Sequence, residues 1–234
     1  MNIIGGYNIS PKKFGNLEST VSPQKIPSIK PSSLGWSKLD RAFRPAQLAC
    51  IAIGEALKQA KISWPLDENS DRTAMIILTK DSNLSAIEKM YIEIKKFGFG
   101  KSNPGVFPWT VLNVIGGYAS IYFNINGLNI TLSHNESNGL DSIIYAEDLI
   151  SSGNYDRVIV CELELFPEHM PELHSINESN YENVTAVIFE KESGNGSTKT
   201  KFSCDSYSPQ SEKSILTQLV DNFPRRKDLG VQHG

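Results

Sequence analysis

Short, nearly continuous apolar runs alternate along this chain with longer stretches in which apolar residues recur every three or four positions. The runs have the pattern of strands buried on both faces, and the longer stretches that of amphipathic helices. Met1 to Tyr7 reads as a first strand, and residues 8–37, rich in Ser, Pro, Lys and Gly, as an irregular loop. Arg41 to Ile62 is predicted helical. Pro45 suits its first turn, and Phe43, Leu48, Ala52, Ile53, Ala56, Leu57 and Ala60 form a broad apolar face. Thr73 to Thr79 is a strand of buried, parallel type, and Leu84 to Phe97 returns to helical spacing until Gly98 and Gly100 end it.

Asn103-Pro104-Gly105 is a turn, and the apolar, aromatic stretch from Phe107 to Phe123 predicts a helix starting near Pro108. A strand from Leu128, a tight polar turn and a helix from Ser137 to Ser152 follow. Asp156 to Leu163 is another buried strand, and Glu164 to Tyr181 an acidic loop with prolines and two histidines. Val184 to Glu190 alternates cleanly and Lys199 to Tyr207 is predicted to pair with it, before a short helix from Ser211 to Val220. Strands alternating with helices predict an α/β fold: a mostly parallel mixed sheet with an antiparallel edge strand and helices on its faces. The expected organisation is one domain over residues 1–222 and a polar tail over 223–234.

Composition narrows the function classes. Charged residues make up 21% and the formal net charge is -3, which gives no electrostatic case for nucleic acid or an anionic membrane. No apolar window is long enough for a membrane span, and the N-terminus lacks the basic start and apolar run of a signal peptide. Cys50, Cys161 and Cys204 are odd in number, widely spaced and set in apolar sequence, so neither a disulfide framework nor a metal site is expected. A cytoplasmic protein with reduced, mostly buried cysteines follows. The four matches to the glycosylation sequon, at Asn129, Asn135, Asn177 and Asn183, then read as chance.

The chemistry concentrates between Gly127 and Gly153: an apolar strand, the polar turn Ser133-His134-Asn135-Glu136-Ser137-Asn138-Gly139, and an amphipathic helix closed by Ser151-Ser152-Gly153. Strand-turn-helix junctions of this kind hold a nucleophile at a helix N-terminus, where the dipole stabilises negative charge.

Three stretches, in order, resemble the β-ketoacyl synthase branch of the thiolase-like fold. They are Arg44-Pro45-Ala46-Gln47-Leu48-Ala49 running to Ala60, then Phe107-Pro108-Trp109-Thr110-Val111-Leu112-Asn113 with Gly117-Tyr118-Ala119-Ser120-Ile121, then the unit from Gly127 to Gly153. Val184 to Glu190 resembles the strand that closes the family's N-terminal half. The resemblance covers nearly the whole chain and about half of a synthase, so it implies one half of a thiolase-like fold. Aligned on Ser137-Asn138-Gly139-Leu140, the family's nucleophilic cysteine falls on Glu136. A carboxylate is comfortable at a helix N-terminus but is a poor nucleophile toward a thioester. Synthases also use two histidines from their C-terminal half; His134, His169, His174 and His233 here lie in no comparable glycine-rich motif.

The resemblance therefore implies a non-catalytic subunit like the chain length factors, paired with a full-length ketosynthase and shaping its product. The dimer strand would be Asn129, Ile130, Thr131, Leu132 and Ser133. Phe107, Trp109, Leu112 and Tyr118 would form the wall of the acyl tunnel at the interface. No cofactor is expected in this chain, because the partner acts on phosphopantetheinyl acyl carrier protein. Two other readings stay open: a malonyl-carrier-protein decarboxylase, and a scaffold binding carrier protein through Arg225, Arg226 and Lys227.

Overall fold

The computed structural model describes residues 1–14, 24–79, 81–133, 139–167, 181–192, 200–201 and 213–223. Six strands form one sheet: β1 (Asn2–Ile9), β2 (Thr73–Thr79), β3 (Asn129–Ser133), β4 (Arg157–Glu164), β5 (Asn183–Glu190) and β6 (Thr200–Lys201), in the order β3-β2-β4-β5-β1-β6. β2 pairs in parallel with β3 and β4, whereas β5 is antiparallel to both β4 and β1. The result is a mixed α/β sheet of the kind expected, with two corrections. The long antiparallel strand, β5, lies inside the sheet. The predicted partner of Val184–Glu190 within Lys199–Tyr207 instead yields β6, which pairs with β1 at the far edge. An edge of two residues carries too little apolar pattern to reveal its neighbour.

Side-chain alternation sends successive residues of each strand to opposite faces. Met75, Ile77, Ile159, Cys161, Val184, Ala186 and Ile188 face α1 (Arg44–Ala60) and α3 (Val114–Phe123). Ala74, Ile76, Val158, Val160, Val187 and Phe189 face α4 (Leu140–Ser151) and α5 (Ile215–Asn222). The molecule is thus three layers, with α2 (Leu84–Phe97) lying outside them against the turn that follows it.

α1 starts later than its periodicity suggests because Phe43 is extended, and it stops at Lys61 in the left-handed region. Its interior Gly54 is required by contact: a β-carbon there would lie 2.1 Å from the Trp36 ring. Trp36 is fully buried, donates its indole N–H to Glu55 and carries Lys58 over its face. The single helix expected over Phe107–Phe123 is two elements: a 3-10 helix over Pro104–Thr110 and α3, bent by 97° at an extended Val111. Pro108 supplies no N–H to the first element, and Asn83 Nδ2 donates to the Thr110 carbonyl where it ends. Among the described residues no single helix is long and apolar enough to cross a membrane.

A buried clasp fixes the end of the sheet that carries the β3–α4 junction. Glu182, immediately before β5, is fully buried and accepts from Arg44 in a bidentate pair, from the Ile26 amide and from the Phe166 amide. Four donors on one carboxylate satisfy a charge that would otherwise be costly to bury. They tie α1, the strand-like segment at Gln24 and the exit of β4 to one point.

Candidate functional site

Among the described residues β3 lies at the edge of the sheet and is hydrogen-bonded along one side only, to β2, in a regular register from Met75↔Asn129 to Thr79↔Ser133. Ile130 and Leu132 share the α4 face, while Asn129, Thr131 and Ser133 share the α3 face. Asn129 donates to the Ser120 hydroxyl, which seats α3 beside the strand. Next to Ser120, Ile121 is 85% exposed, and Phe107 (58%) and Val111 are exposed on the same run of chain. A β-carbon added at Gly117 would meet nothing within 4 Å, so the outward side of α3 is open.

One sequence signal marks this margin and was not among the features singled out above. From Ser102 through Asn135 there is no Asp, Glu, Lys or Arg, in a chain where 21% of residues are charged. Solvated edges normally carry charges that discourage pairing, and interface cores are depleted of them. The tract covers the 3-10 helix, α3 and β3 together.

Of the four residues expected at a tunnel wall, two are brought into contact. Trp109 and Tyr118 pack together with ring centroids 5.5 Å apart, and Leu112 is half-buried. Phe107 stands out toward solvent instead. The stack gains a member that periodicity assigned to a helix face: Phe43 lies on Trp109 at 5.3 Å, nearly parallel, with Lys89 over its ring. Tyr118 and Tyr122 donate to the carbonyls of Lys38 and Ser37, pinning the loop before α1 to α3. Partial burial raises the pKa of both phenols, so they remain neutral donors.

Glu136 and all four histidines lie outside the described residues, as do Cys204 and the tail with Arg225, Arg226 and Lys227. What is described of the junction is its floor. Gly139 sits at a φ of 87° before the first turn of α4, and Ser142 donates back to its carbonyl. A β-carbon at Gly139 would lie 3.4 Å from Oε1 of Glu162, so that fully buried carboxyl sits directly beneath the helix start. Burial first, and then the nearby Glu164, push the Glu162 pKa well above the usual carboxylate range, with Ser214 opposing through a hydrogen bond. The two described cysteines, Cys50 and Cys161, are buried, and burial raises both thiol pKa values, which removes them as nucleophiles. An open cleft of about 320 Å³ lined by Asn69, Asp156, Arg157, Glu190 and Lys191 lies at the opposite end of the sheet, where β4 begins. Glu192 lines it as well; two of its three acids are engaged by arginines, Asp156 by Arg72 and Glu190 by Arg157, and it is remote from the junction.

α2 adds a different surface. Lys95 to Lys101 are all exposed, including Phe97 and Phe99, the latter 77%. Lys96 lies over the Phe97 ring and Lys95 over that of Tyr91, Lys101 is exposed two residues after Phe99, and from Ile94 through Asn135 the sequence contains no acid.

No protein-family model and no curated protein matches the sequence. Solved structures do match by shape. The ishigamide ketosynthase/chain length factor superposes with a TM-score of 0.64 at 16% identity, over 81% of this chain and 62% of that one. A ketosynthase in complex with its chain length factor from Xenorhabdus doucetiae gives 0.61 at 15% identity, over 82% of this chain and 79% of that one. A β-ketoacyl synthase from Burkholderia phymatum gives 0.60 at 13% identity, over 81% and 58%. This chain therefore spans less than two thirds of the first of these and of the Burkholderia synthase, and identities this low speak to fold. The fold is the thiolase-like one shared by ketosynthases and their chain length factors, and this chain has the architecture of one half of it.

Proposed function

We propose that this protein is a non-catalytic, ketosynthase-like subunit of the chain length factor kind. It pairs with a full-length ketosynthase through β3 and helps set acyl or polyketide chain length during condensation on acyl carrier protein. The observation that carries this reading is a free edge strand without charges, flanked by exposed Ile121, Val111 and Phe107, in a fold shared with paired synthases. Strand addition supplies main-chain hydrogen bonds, and the flanking apolar side chains supply buried area. Trp109, stacked on Phe43 and in tilted contact with Tyr118, is the bulky residue best placed to limit a growing chain. The patch of Lys95, Lys96, Lys101, Phe97 and Phe99, with Glu93 beside it held on the Asn103 amide, has a net positive charge to receive an acidic carrier protein.

In this reading Glu136 is not a nucleophile, and any condensation chemistry belongs to the partner. The test is co-expression with the ketosynthase, purification of the pair and mass spectrometry of carrier-bound products. The expected result is a stable heterodimer whose products lengthen with Trp109→Ala. Separate elution of the two proteins, together with product lengths indifferent to that substitution, overturns the reading. Robust decarboxylation of malonyl-carrier protein by this chain alone, lost in Glu136→Ala, would establish the enzymatic alternative instead.

A further inference from the structure

α2 ends in an exposed tip that carries two aromatic rings as well as its lysines, and charge alone does not account for the rings. We propose that this tip, Lys95–Lys101, docks on an anionic phospholipid surface, with Phe97 and Phe99 inserted at headgroup depth and Lys95, Lys96 and Lys101 on the phosphates. The inference goes beyond pairing with a synthase and does not rest on it; only the lysines are shared with carrier docking.

Seven consecutive residues, Lys95 to Lys101, are exposed, with Phe97 at 52% and Phe99 at 77%. Clustered apolar side chains this exposed mark a contact surface. The tip projects into open space: a β-carbon added at Gly98 or Gly100 would meet nothing within 4 Å, so among the described residues no groove is shaped around a partner there. A lipid surface needs no groove. It accepts aromatic rings at the boundary of headgroups and acyl chains, with lysines beside them. Tyr91 and Ile92 continue the exposed apolar surface along α2, and the 3-10 helix packed against α2 carries exposed Phe107. The charge has the matching sign. Glu93 is held on the Asn103 amide, and no acid follows from Ile94 through Asn135. Each lysine near an anionic leaflet adds attraction that fades within a Debye length. The net charge of -3 conceals this surface because the acids lie elsewhere in the chain. The tip is also preformed. The Gly98 amide donates to the Ile94 carbonyl, the Lys101 amide to that of Gly98, and the Ser102 amide and hydroxyl to that of Phe99. Docking therefore does not have to order the loop first.

Co-sedimentation of the full chain with vesicles of phosphatidylcholine, with and without phosphatidylglycerol, tests the proposal. Binding is expected only when phosphatidylglycerol is present, and is expected to weaken as salt rises. Phe97→Ser and Phe99→Ser together are expected to weaken it roughly tenfold or more. Circular dichroism and pairing with the ketosynthase should stay unchanged, since both rings are exposed. Phe99→Trp is expected to keep the binding and to shift its emission to the blue when anionic vesicles are added. No partition into anionic vesicles at low salt, or partition indifferent to the two serine substitutions, overturns the proposal. Carrier-protein binding that is lost with the two rings, in the absence of any vesicle binding, overturns it too and makes the tip a protein-docking surface. A heterodimer that forms without vesicle binding leaves the functional reading standing while this inference falls; vesicle binding without a heterodimer does the reverse.

Discussion

Two residues set the energetics of this fold in ways that can be measured directly. Gly54 is helix-interior, where alanine normally gains about 0.5–1 kcal/mol. Here the added methyl would meet the ring of buried Trp36 at 2.1 Å, so the sign reverses. Gly54→Ala is expected to destabilise by about 1–3 kcal/mol in denaturant unfolding, the cost of overpacking. Glu162 acts through protons. Burial raises its folded pKa well above the unfolded carboxylate value, so the folded state keeps a proton that the unfolded chain has released. Its contribution to stability is therefore intact below the unfolded pKa of about 4.3 and is lost as pH rises toward the folded value. Glu162→Gln is expected to remove this slope, raising the melting temperature at about pH 8 more than at about pH 5. Both effects were invisible in the linear chain. Gly54 falls inside the predicted helix Arg41 to Ile62 and Glu162 inside the predicted strand Asp156 to Leu163, and periodicity singles out neither.

At the scale of elements, hydrophobic periodicity located most strands and helices. Thr73–Thr79 and Leu84–Phe97 are bounded as the pattern reads, and the strand expected from Leu128 is Asn129–Ser133. The stretch from Phe107 to Phe123 was misread as one helix because apolar periodicity runs through it unbroken, while the break depends on Pro108 and an extended Val111. That break matters, because it lets Trp109, in the 3-10 helix, pack against Tyr118 of α3 on its far side. α2 owes its character to position rather than pattern. Its apolar spacing predicted a helix, and of its apolar residues Ile87, Tyr91, Ile92 and Phe97 are all exposed. If its lysine patch receives an acidic carrier protein, replacing Lys95, Lys96 and Lys101 by Glu is expected to weaken carrier binding by at least about tenfold. Pairing with the synthase should be unchanged. Surface plasmon resonance with immobilised carrier protein measures the first, and size-exclusion chromatography of the pair the second.

The whole molecule separates two kinds of surface. The net charge of -3 hides an uneven distribution, with the region from Ile94 to Asn135 free of acids and most of it free of any charge. Association through the β3 margin should then be nearly indifferent to salt, whereas carrier docking at α2 should fade as the Debye length falls from about 10 Å at 0.1 M to about 3 Å at 1 M. Calorimetric titrations of both partners at two salt concentrations check the contrast. Equal salt dependence for the two would mean that the surfaces are not distinct.

By itself the sequence determined the alternation of strands and helices and the α/β class. Those follow from local periodicity, which every segment carries within its own residues. Only the tertiary structure decided that the antiparallel strand is internal, that Phe43 joins the Trp109 stack and that Glu162 lies under the start of α4. Each of these is a meeting of segments far apart in the chain, set by strand order and packing, and no local pattern encodes which partners meet.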